Sequence, residues 1–364
     1  MLNGDRKAAI IIPALNPGSE LLAYVEKIKE NGERHIIVID DGSTEKTRDI
    51  FDKLKVELQC TVLRHAINMG KGRALKTAFN YYLTHLSDKC TGVITVDSDG
   101  QHDIKDIIRL EKAMNENSDS LIIGARDFDS PNVPPKSKIG NKTTKIIMKL
   151  LYGGEITDTQ TGLRGIPNSL VKEYLLLPGE RFEYETSMLI ESLQKKITIK
   201  EIGIETIYID DNSGTHFRPI ADSWAIYKLI FGTFFKYILS SVSSFLVDLL
   251  MFQLLLLLFG GFSLGSRILY ATIGARICSS IFNYIVNRHI VFEGDHKGKN
   301  TFFKYYLLCI LQMFASAGGV YLICSLIPIP EFLAKLIFDS ILFLISFQIQ
   351  RRWIFTSKFK EVQK

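Results

Sequence analysis

The stretch ITVDSDGQHD, residues 94–103, places three aspartates, a glutamine and a histidine directly after a run of β-branched residues. Carboxylates this close together repel one another unless solvent or a cation lies between them. Apolar runs of strand length flank this stretch, among them HIIVI at 35–39 and SLIIGA at 120–125, and they alternate with longer amphipathic segments. This alternation predicts an α/β fold in which helices cover both faces of a mostly parallel sheet.

Ligands of such sheets bind beyond the carboxyl ends of the strands. HIIVIDDGS (35–43) and VITVDSDG (93–100) both place paired aspartates at that position, so two acidic clusters should meet in one cleft. Asp103 is expected to cap the helix that follows it. The pattern predicts helices at 19–30, 71–86, 103–117 and 141–152, a loop at 129–138, and a strand or two at the margin of the sheet within 199–209.

The composition changes near residue 233, where apolar runs replace the charged helices. Each run approaches the ~20 residues that a helix needs to cross a bilayer. Four spans are therefore predicted, at roughly 237–259, 267–287, 303–327 and 332–350. The segment 223–236 is either an amphipathic helix at the membrane interface or the extended start of the first span. The predicted domains are a catalytic head at 1–222, this linker, a membrane domain at 237–355 and a basic tail at 356–364.

Lysine and arginine are concentrated after the second and fourth spans, which places the head, the middle loop and the C-terminus in the cytoplasm of a multi-pass protein of the cell membrane. The net charge of +5 comes without a basic patch interleaved with aromatic residues, so no nucleic-acid partner is expected. The five cysteines show no CxxC spacing, which argues against a disulfide framework or a zinc site. A homo-oligomer is compatible with the sequence. The N-terminus lacks the pattern of a signal peptide.

Seven ordered motifs resemble the family 2 glycosyltransferases, specifically their dolichol- or polyprenyl-phosphate sugar synthase branch, whose fold is called GT-A. They are IIPALNPG, VIDDGSTEKT, NMGKGRALKTAF, VDSDGQHD, GAR, DTQTGLRG and RFEYETSML, between residues 11 and 189. Residues 233–355 resemble the GtrA-like four-helix membrane family through Asp248 and FNYIVNR (282–288). The first motif departs from the family pattern because Pro17 follows Asn16, where a glutamate is usual.

The resemblance implies a membrane-bound, inverting glycosyltransferase that uses Mg²⁺ or Mn²⁺. Its donor would be a nucleotide sugar, with UDP preferred over GDP, and its acceptor a polyprenyl phosphate; a glycan or protein acceptor is the alternative. The implied metal ligands are Asp97, Asp99 and Gln101. The implied catalytic residues are Asp99, Asp158, Arg126 and Arg218, and the residues implied to bind the donor or the acceptor phosphate are Pro13, Asn16, Asp40, Lys71, Asp97 and Arg164.

Several of these residues have simpler interpretations. Asp41, Gly42 and Ser43 could form only a turn and a helix cap, and Arg164 and Lys136 could be ordinary surface cations. Glu183 and Glu185 fit a solvated helix face as well as they fit catalysis. A lipid phosphate is already ionised near neutral pH, so it needs cations for binding more than it needs a general base.

The charged residues Asp248, Arg276 and Asp339 fall within the predicted spans. Isolated charges there are costly, so they should face the bundle interior, a partner or a polar path. They would act as contacts between helices or as part of a route for lipid-linked sugar. The membrane domain is accordingly expected either to anchor the enzyme, to dock a partner, or to help lipid-linked sugar cross the membrane.

Overall fold

The computed structural model describes residues 6–128, 135–205, 218–292 and 300–355. The strands are β1 (Ala9–Ala14), β2 (Ile36–Asp40), β3 (Thr61–Arg64), β4 (Gly92–Thr95), β5 (Leu121–Arg126), β6 (Arg164–Pro167) and β7 (Ile199–Ile204). The helices among and after them are α1 (Glu20–Glu30), α2 (Arg48–Val56), α3 (Lys71–His85), α4 (Ile104–Glu116), α5 (Pro135–Tyr152), α6 (Asn168–Leu175) and α7 (Glu183–Lys195). The predicted tail 356–364 and the predicted marginal strand beyond residue 205 lie outside the described residues.

One seven-stranded sheet carries the first part of the chain, in the order β3-β2-β1-β4-β6-β5-β7. All neighbouring pairs are parallel except those of β6, which runs antiparallel to β4 and β5. The predicted α/β class is thus confirmed, and β7 lies at the margin as expected. Strands β1, β2 and β4 are buried along their whole length, as strands covered on both faces must be.

Strand β6 has no counterpart in the sequence prediction, because its four residues RGIP are too short to show a periodicity. Its reversed direction has a consequence for the site. In an antiparallel pair the start of one strand lies beside the end of the other, and Arg164 is paired with Thr95 in the register of β4 and β6. Arg164 therefore lies at the same edge of the sheet as the acidic stretch that follows β4.

Two helix starts differ in how well the sequence predicted them. Asp103 caps α4 as predicted, because its carboxylate accepts a hydrogen bond from the backbone N–H of Lys105 at 2.9 Å. Helix α5 was predicted to begin at 141 but begins at Pro135. Proline is tolerated in the first turn of a helix, where its missing N–H would have had no partner.

The chain divides into two compact units, Met1–Ile230 and Phe231–Lys364. Helix α8 (Pro219–Leu258) crosses this boundary, so residues 223–236 form one continuous helix with the first span. It is followed by α9 (Leu264–Val286), α10 (Thr301–Leu326) and α11 (Glu331–Ile349). Four helices of the described chain are long and apolar enough to cross a membrane, as predicted: Ile220–Leu258, Leu264–Val291, Thr301–Leu326 and Phe332–Ile354.

The two helical hairpins of the second unit end in the same way. NRHIVF and QRRWIF each form a π-helical turn, at Asn287–Val291 and Gln350–Ile354. The first residues of the two turns are joined by a buried hydrogen bond from Asn287 Nδ2 to Gln350 Oε1 at 3.0 Å. The phenylalanines that follow, Phe292 and Phe355, stack with ring centroids 5.3 Å apart. The sequence similarity of the two segments therefore reflects a repeated structure.

The charged residues within the spans are bound by neighbouring helices. Asp248 of α8 accepts a hydrogen bond from Ser279 of α9 at 2.8 Å, and the Nε atom of Arg276 lies 3.8 Å from the same oxygen. Asp339 of α11 accepts a hydrogen bond from Ser316 of α10 at 2.5 Å. Hydrogen bonds of this kind hold membrane helices together, so Asp248 and Asp339 join the helices of each hairpin.

Candidate active site

Three of the residues implied to bind the donor or the acceptor phosphate lie in or just after β1 and β2. Pro13 is buried within β1. Asn16 has a positive φ of 47° and its backbone N–H donates to Ser43 Oγ at 2.9 Å. Asp40, also buried, accepts from the backbone N–H of Ser43 at 2.8 Å and pairs with Arg64 Nε at 3.2 Å. Asn16 and Asp40 therefore both stabilise the backbone or a neighbouring side chain at this strand edge.

Asp41 orients the loop that leads into α3. Its carboxylate accepts hydrogen bonds from the backbone N–H groups of Met69 at 2.9 Å and Gly70 at 2.8 Å. It is also 2.7 Å from Nδ1 of His65. Asp41 therefore does more than form a local turn, because these contacts fix the backbone immediately before Lys71.

Lys71, the first residue of α3, brings two predicted motifs together. Its ammonium lies 2.6 Å from Asp97 Oδ1 and 3.0 Å from Glu185 Oε1. The Glu185 side chain is only 7% exposed, so a solvated helix face is the wrong interpretation for it. Glu183, the first residue of α7, accepts from the backbone N–H groups of Glu180 and Arg181 in the preceding loop, which also contradicts plain solvation.

Gly70 makes this meeting of motifs sterically possible. Its φ is +101°, in the left-handed region that favours glycine. A Cβ atom at this position would lie 2.5 Å from the backbone oxygen of Glu180. The loop before α3 can therefore pack directly against the segment that precedes Glu185.

The two aspartates of the opening stretch differ in their electrostatic environment. Burial alone would raise the pKa of Asp97, but the Lys71 ammonium and His102 hold it well below its usual value. Burial, together with the neighbouring charge of Asp97, raises the pKa of Asp99. His102 Nε2 lies 3.4 Å from Asp97 Oδ2, a contact that the sequence analysis missed. The negative charge of Asp97 is thus balanced by neighbouring side chains, whereas burial and the charge of Asp97 disfavour the charged form of Asp99.

The side chains predicted to bind the metal have the donor atoms that Mg²⁺ and Mn²⁺ require. Asp97 and Asp99 are carboxylates and Gln101 is an amide, the oxygen donors that Mg²⁺ and Mn²⁺ prefer. The Lys71 ammonium on Asp97 already marks one cation position. A Cβ atom at residue 162 would lie 2.3 Å from Asp97 Oδ2, so Gly162 leaves space that this carboxylate occupies. No group of three or more His, Cys, Asp or Glu side chains suited to a metal occurs among the described residues.

Asp158 and Arg126 form a closely bound pair. The Asp158 side chain is fully buried, and it accepts from Arg126 Nε at 2.7 Å and from Nη2 at 3.1 Å. It also accepts from the backbone N–H of Arg126 at 3.2 Å and of Gln160 at 3.0 Å. A carboxylate with four donors has little capacity left to accept a proton from a substrate. It holds the arginine at the end of β5 in a fixed orientation.

The loop that carries Asp158 is fixed from three sides. Glu201 of β7 accepts from the backbone N–H of Thr157 at 2.7 Å and from its hydroxyl at 2.8 Å. Asn141 of α5 donates to the backbone oxygen of Thr157 at 2.7 Å. Thr95 of β4 donates to the backbone oxygen of Gly162 at 2.7 Å. The loop therefore lies against the end of β4, directly beside Asp97.

Arg164 is not a surface cation, because the residue is only 1% exposed. Its Nε atom donates to the backbone oxygen of Thr161 at 3.1 Å, and Nη1 donates to that of Glu185 at 2.6 Å. Nη2 is buried without a hydrogen-bond partner among the described residues. Burial lowers the pKa of this guanidinium. The Lys136 side chain, its companion in the sequence analysis, lies outside the described residues.

Arg218 makes its contacts at the start of α8. Its backbone N–H and its Nη2 atom bind Asp222, at 2.7 Å and 3.2 Å. Asp222 also accepts from Arg181 Nε at 3.0 Å. The Arg218 side chain is 59% exposed, which leaves much of its guanidinium accessible. Among the described residues, no hydrogen bond joins it to the acids of the 97–103 segment.

Two family profiles match the chain, and each covers most of one of the two compact units. Residues 9–175 match glycosyl transferase family 2, and residues 224–355 match the GtrA/DPMS transmembrane domain. The chain belongs to glycosyl transferase family 2. The predicted family resemblance and the predicted glycosyltransferase activity are therefore confirmed, and the chain is a membrane protein.

Three relatives illustrate the range of this glycosyltransferase family. An uncharacterized protein of Methanocaldococcus jannaschii is 31% identical over 225 residues, which cover 61% of this chain and 90% of that protein. The UDP-N-acetylglucosamine–dolichyl-phosphate N-acetylglucosaminyltransferase of Methanococcus voltae is 29% identical, covering 57% and 88%. The polyprenol monophosphomannose synthase of Mycolicibacterium smegmatis is 25% identical, covering 46% and 64%.

Proposed function

We propose that this glycosyltransferase moves a sugar from a nucleotide-sugar donor to a polyprenyl phosphate, by a single displacement that inverts the anomeric carbon. The observation that carries the proposal is the Arg126–Asp158 pair, a fixed cation whose carboxylate partner is already fully engaged. Two relatives are named as enzymes acting on dolichyl phosphate or producing a polyprenol phosphosugar. The attached GtrA/DPMS domain supports an acceptor that resides in the membrane.

The acceptor follows from the chemistry of this pair. A sugar or protein hydroxyl must lose a proton to attack, and it therefore requires a general base. A phosphate monoester is already an anion, so its oxygen can attack the anomeric carbon directly while the bond to the nucleoside diphosphate breaks. Arg126, held by Asp158 and 24% exposed, is suited to binding that phosphate. We propose that Asp158 positions this arginine, and that Arg218 provides a second cation for the acceptor.

On the donor side, Asp97, Asp99 and Gln101 would hold Mg²⁺ or Mn²⁺, and the bound ion would neutralise charge on the departing diphosphate. Lys71 lies at the start of α3, where cations and backbone N–H groups favour phosphate. Buried Arg164 would add positive charge beneath the same cleft. Pro13, Asn16 and Asp40 would form the wall of the base pocket. The relative named for UDP-N-acetylglucosamine favours UDP over GDP as the donor nucleotide.

The membrane half would anchor the head to the membrane. The basic residues that follow the second and fourth spans favour a cytoplasmic location for the head. We propose the cell membrane as the location, with the C-terminus on the same side as the head. A role in moving the lipid-linked sugar across the membrane is a second candidate, favoured by Arg276, whose side chain is 75% exposed within a span. Liposomes that contain preformed lipid-linked sugar and either the full chain or no protein test this role. If the lipid-linked sugar appears at the opposite face no faster with the full chain than without protein, the role is excluded.

The central experiment is a screen of donors with the purified full chain. The protein would be incubated with Mg²⁺, undecaprenyl phosphate and a panel of UDP- and GDP-sugars, and the lipid products identified by mass spectrometry. A product with one donor, formed with inverted anomeric configuration by NMR, is expected. A retained configuration would contradict the single displacement, and the absence of lipid product with every donor would contradict the proposed acceptor.

A further inference from the structure

The position of Lys71 creates a conflict with the proposed metal. Its ammonium lies 2.6 Å from Asp97 Oδ1, at hydrogen-bond distance from an oxygen of the first proposed metal ligand. The Lys71 side chain is only 15% exposed, so this contact is more than a loose surface pair. An ammonium and a divalent cation compete for the lone pairs of a single carboxylate oxygen.

Glu185 offers Lys71 a second position. Its Oε1 atom already lies 3.0 Å from the ammonium, and its side chain is 7% exposed. A buried carboxylate without a partner is strongly unfavourable, so Glu185 retains the lysine even when the contact with Asp97 is lost. The ring centroid of Phe182 lies 5.8 Å from the ammonium, within the range of a cation–π contact.

The charges of the cluster point in the same direction. Asp97, Asp99 and Glu185 contribute three carboxylates. The cations beside them are Lys71, placed between two of the acids, and buried Arg164, which bonds to the backbone of Glu185. The carboxylates therefore outnumber these cations, which leaves an excess of negative charge. A divalent cation between Asp97 and Asp99 would remove the excess, after which Lys71 would be needed only by Glu185.

We propose that Lys71 is a displaceable counter-ion: it occupies Asp97 in the metal-free protein, and metal binding moves it to Glu185, from which it meets the donor diphosphate. This inference rests on the proposed metal role of Asp97. Glu185 is a positioning residue in this scheme, because it acts on metal and donor through Lys71. In this scheme Lys71 weakens the binding of the metal and strengthens the binding of the donor diphosphate.

Lys71→Met tests whether this lysine weakens the binding of metal and strengthens the binding of nucleotide. The metal-free full chain with this substitution should bind Mn²⁺ roughly tenfold more tightly than wild type, because one charge-assisted competitor is lost. Electron paramagnetic resonance measures this binding in the absence of nucleotide. Binding of UDP or GDP at saturating Mn²⁺, measured by calorimetry, should weaken by a similar factor. The matched control is Lys76→Met, which removes the same charge from the same helix but pairs with Glu180. Neither measurement should change in the control.

Glu185→Gln separates an action through Lys71 from a direct effect of charge. In the wild-type background it should weaken Mn²⁺ binding, because Lys71 is then left with Asp97 alone. In the Lys71→Met background it should have little effect, and this double variant also removes the buried unpaired carboxylate that could prevent folding. An equal loss in both backgrounds would overturn the scheme.

The remaining outcomes distinguish this inference from the proposed function. Unchanged or weaker Mn²⁺ binding by Lys71→Met, with wild-type binding that depends on Asp97, overturns the counter-ion role and leaves the metal site standing. A wild-type chain that binds no Mn²⁺, or binds it equally well as Asp97→Asn, overturns both. Tighter Mn²⁺ binding together with weaker nucleotide binding is the result that the scheme requires.

Discussion

Arg126 donates through Nε and Nη2 to the two oxygens of Asp158, at 2.7 Å and 3.1 Å, and the carboxylate side chain is completely buried. Bidentate pairs of this kind fix the plane of the guanidinium as well as its position. The Arg126 side chain remains 24% exposed at the end of β5. The pair therefore joins two motifs that are far apart in the sequence into one candidate phosphate-binding element.

Asp158→Asn should impair use of the acceptor more than use of the donor. The amide cannot accept both guanidinium contacts, so Arg126 loses its orientation, and a charge-assisted hydrogen bond is worth roughly 1.5–3 kcal/mol. We expect kcat/KM for the lipid phosphate to fall by about 10- to 100-fold while the affinity for nucleotide is retained. Glu155→Gln, which removes the carboxylate of an exposed pair with Lys149, is the control and should behave like wild type.

The same variant also distinguishes positioning from base catalysis. If Asp158 were a general base, its removal would abolish the acidic limb of the pH–rate profile. A positioning role predicts a lower rate with the limb unchanged. Loss of the limb in Asp158→Asn would therefore contradict the assignment of Asp158 as the partner of Arg126.

Gly162→Ala should disturb the proposed metal site without replacing a metal ligand. The added Cβ would lie 2.3 Å from Asp97 Oδ2, so either the carboxylate or the loop must move. We expect Mn²⁺ binding to weaken at least about tenfold, because a ligand displaced by a fraction of an ångström loses coordination geometry. Gly203→Ala is the matched control, since nothing lies within 4 Å of a Cβ there. Equal Mn²⁺ affinity in the two variants would contradict the site.

Much of this site could be predicted from the sequence because it follows strand ends. Asp40, Asp97 and Arg126 each come at or just after an apolar run of strand length, and a parallel sheet brings such ends to one edge. The prediction failed where position depends on a partner distant in the chain. Glu185 has the spacing of a helix face, and only the packing of α7 against the loop at Gly70 buries it.

The short strand β6 shows the same limit. Its four residues carry no periodic signal, yet its antiparallel direction places Arg164 beside Thr95 and below the cleft. His102 was likewise missed, because its contact with Asp97 depends on the path of the loop between β4 and α4. For the membrane half, composition alone was sufficient to locate four helices, since apolar length is the property that decides a span.

Asn287→Leu should loosen the junction between the two hairpins of the membrane unit. Its side chain donates to Gln350 Oε1 at 3.0 Å in a fully buried position, and leucine leaves that acceptor without this donor. Hydrogen bonds between membrane helices are worth about 0.6–2 kcal/mol, so we expect a lower melting temperature in detergent. The double variant with Gln350→Leu should lose less than the sum of the two single variants. Strict additivity would show that the bond contributes nothing.

The cysteines of the first unit should react slowly in the native protein. Burial raises the pKa of the Cys60 thiol to about 11 and that of Cys90 to about 11. The thiolate is the reactive form, so at pH 8 alkylation should be roughly 100-fold slower than that of an exposed cysteine. Mass spectrometry of peptides labelled with iodoacetamide measures this, and labelling in urea is the control. Rapid native labelling at pH 8 would contradict the packing around both residues.

The most direct measurement compares two acceptors that differ only in the phosphate. The full chain would be supplied with Mg²⁺, the donor identified by the screen, and either undecaprenyl phosphate or undecaprenol, and lipid-linked sugar would be quantified by mass spectrometry. Because we propose that Arg126 binds the acceptor anion, and because Asp158 is already engaged by Arg126, we predict product with the phosphate and none above background with the alcohol. Equal product from undecaprenol would contradict the account, since the enzyme would then require a general base for a neutral hydroxyl.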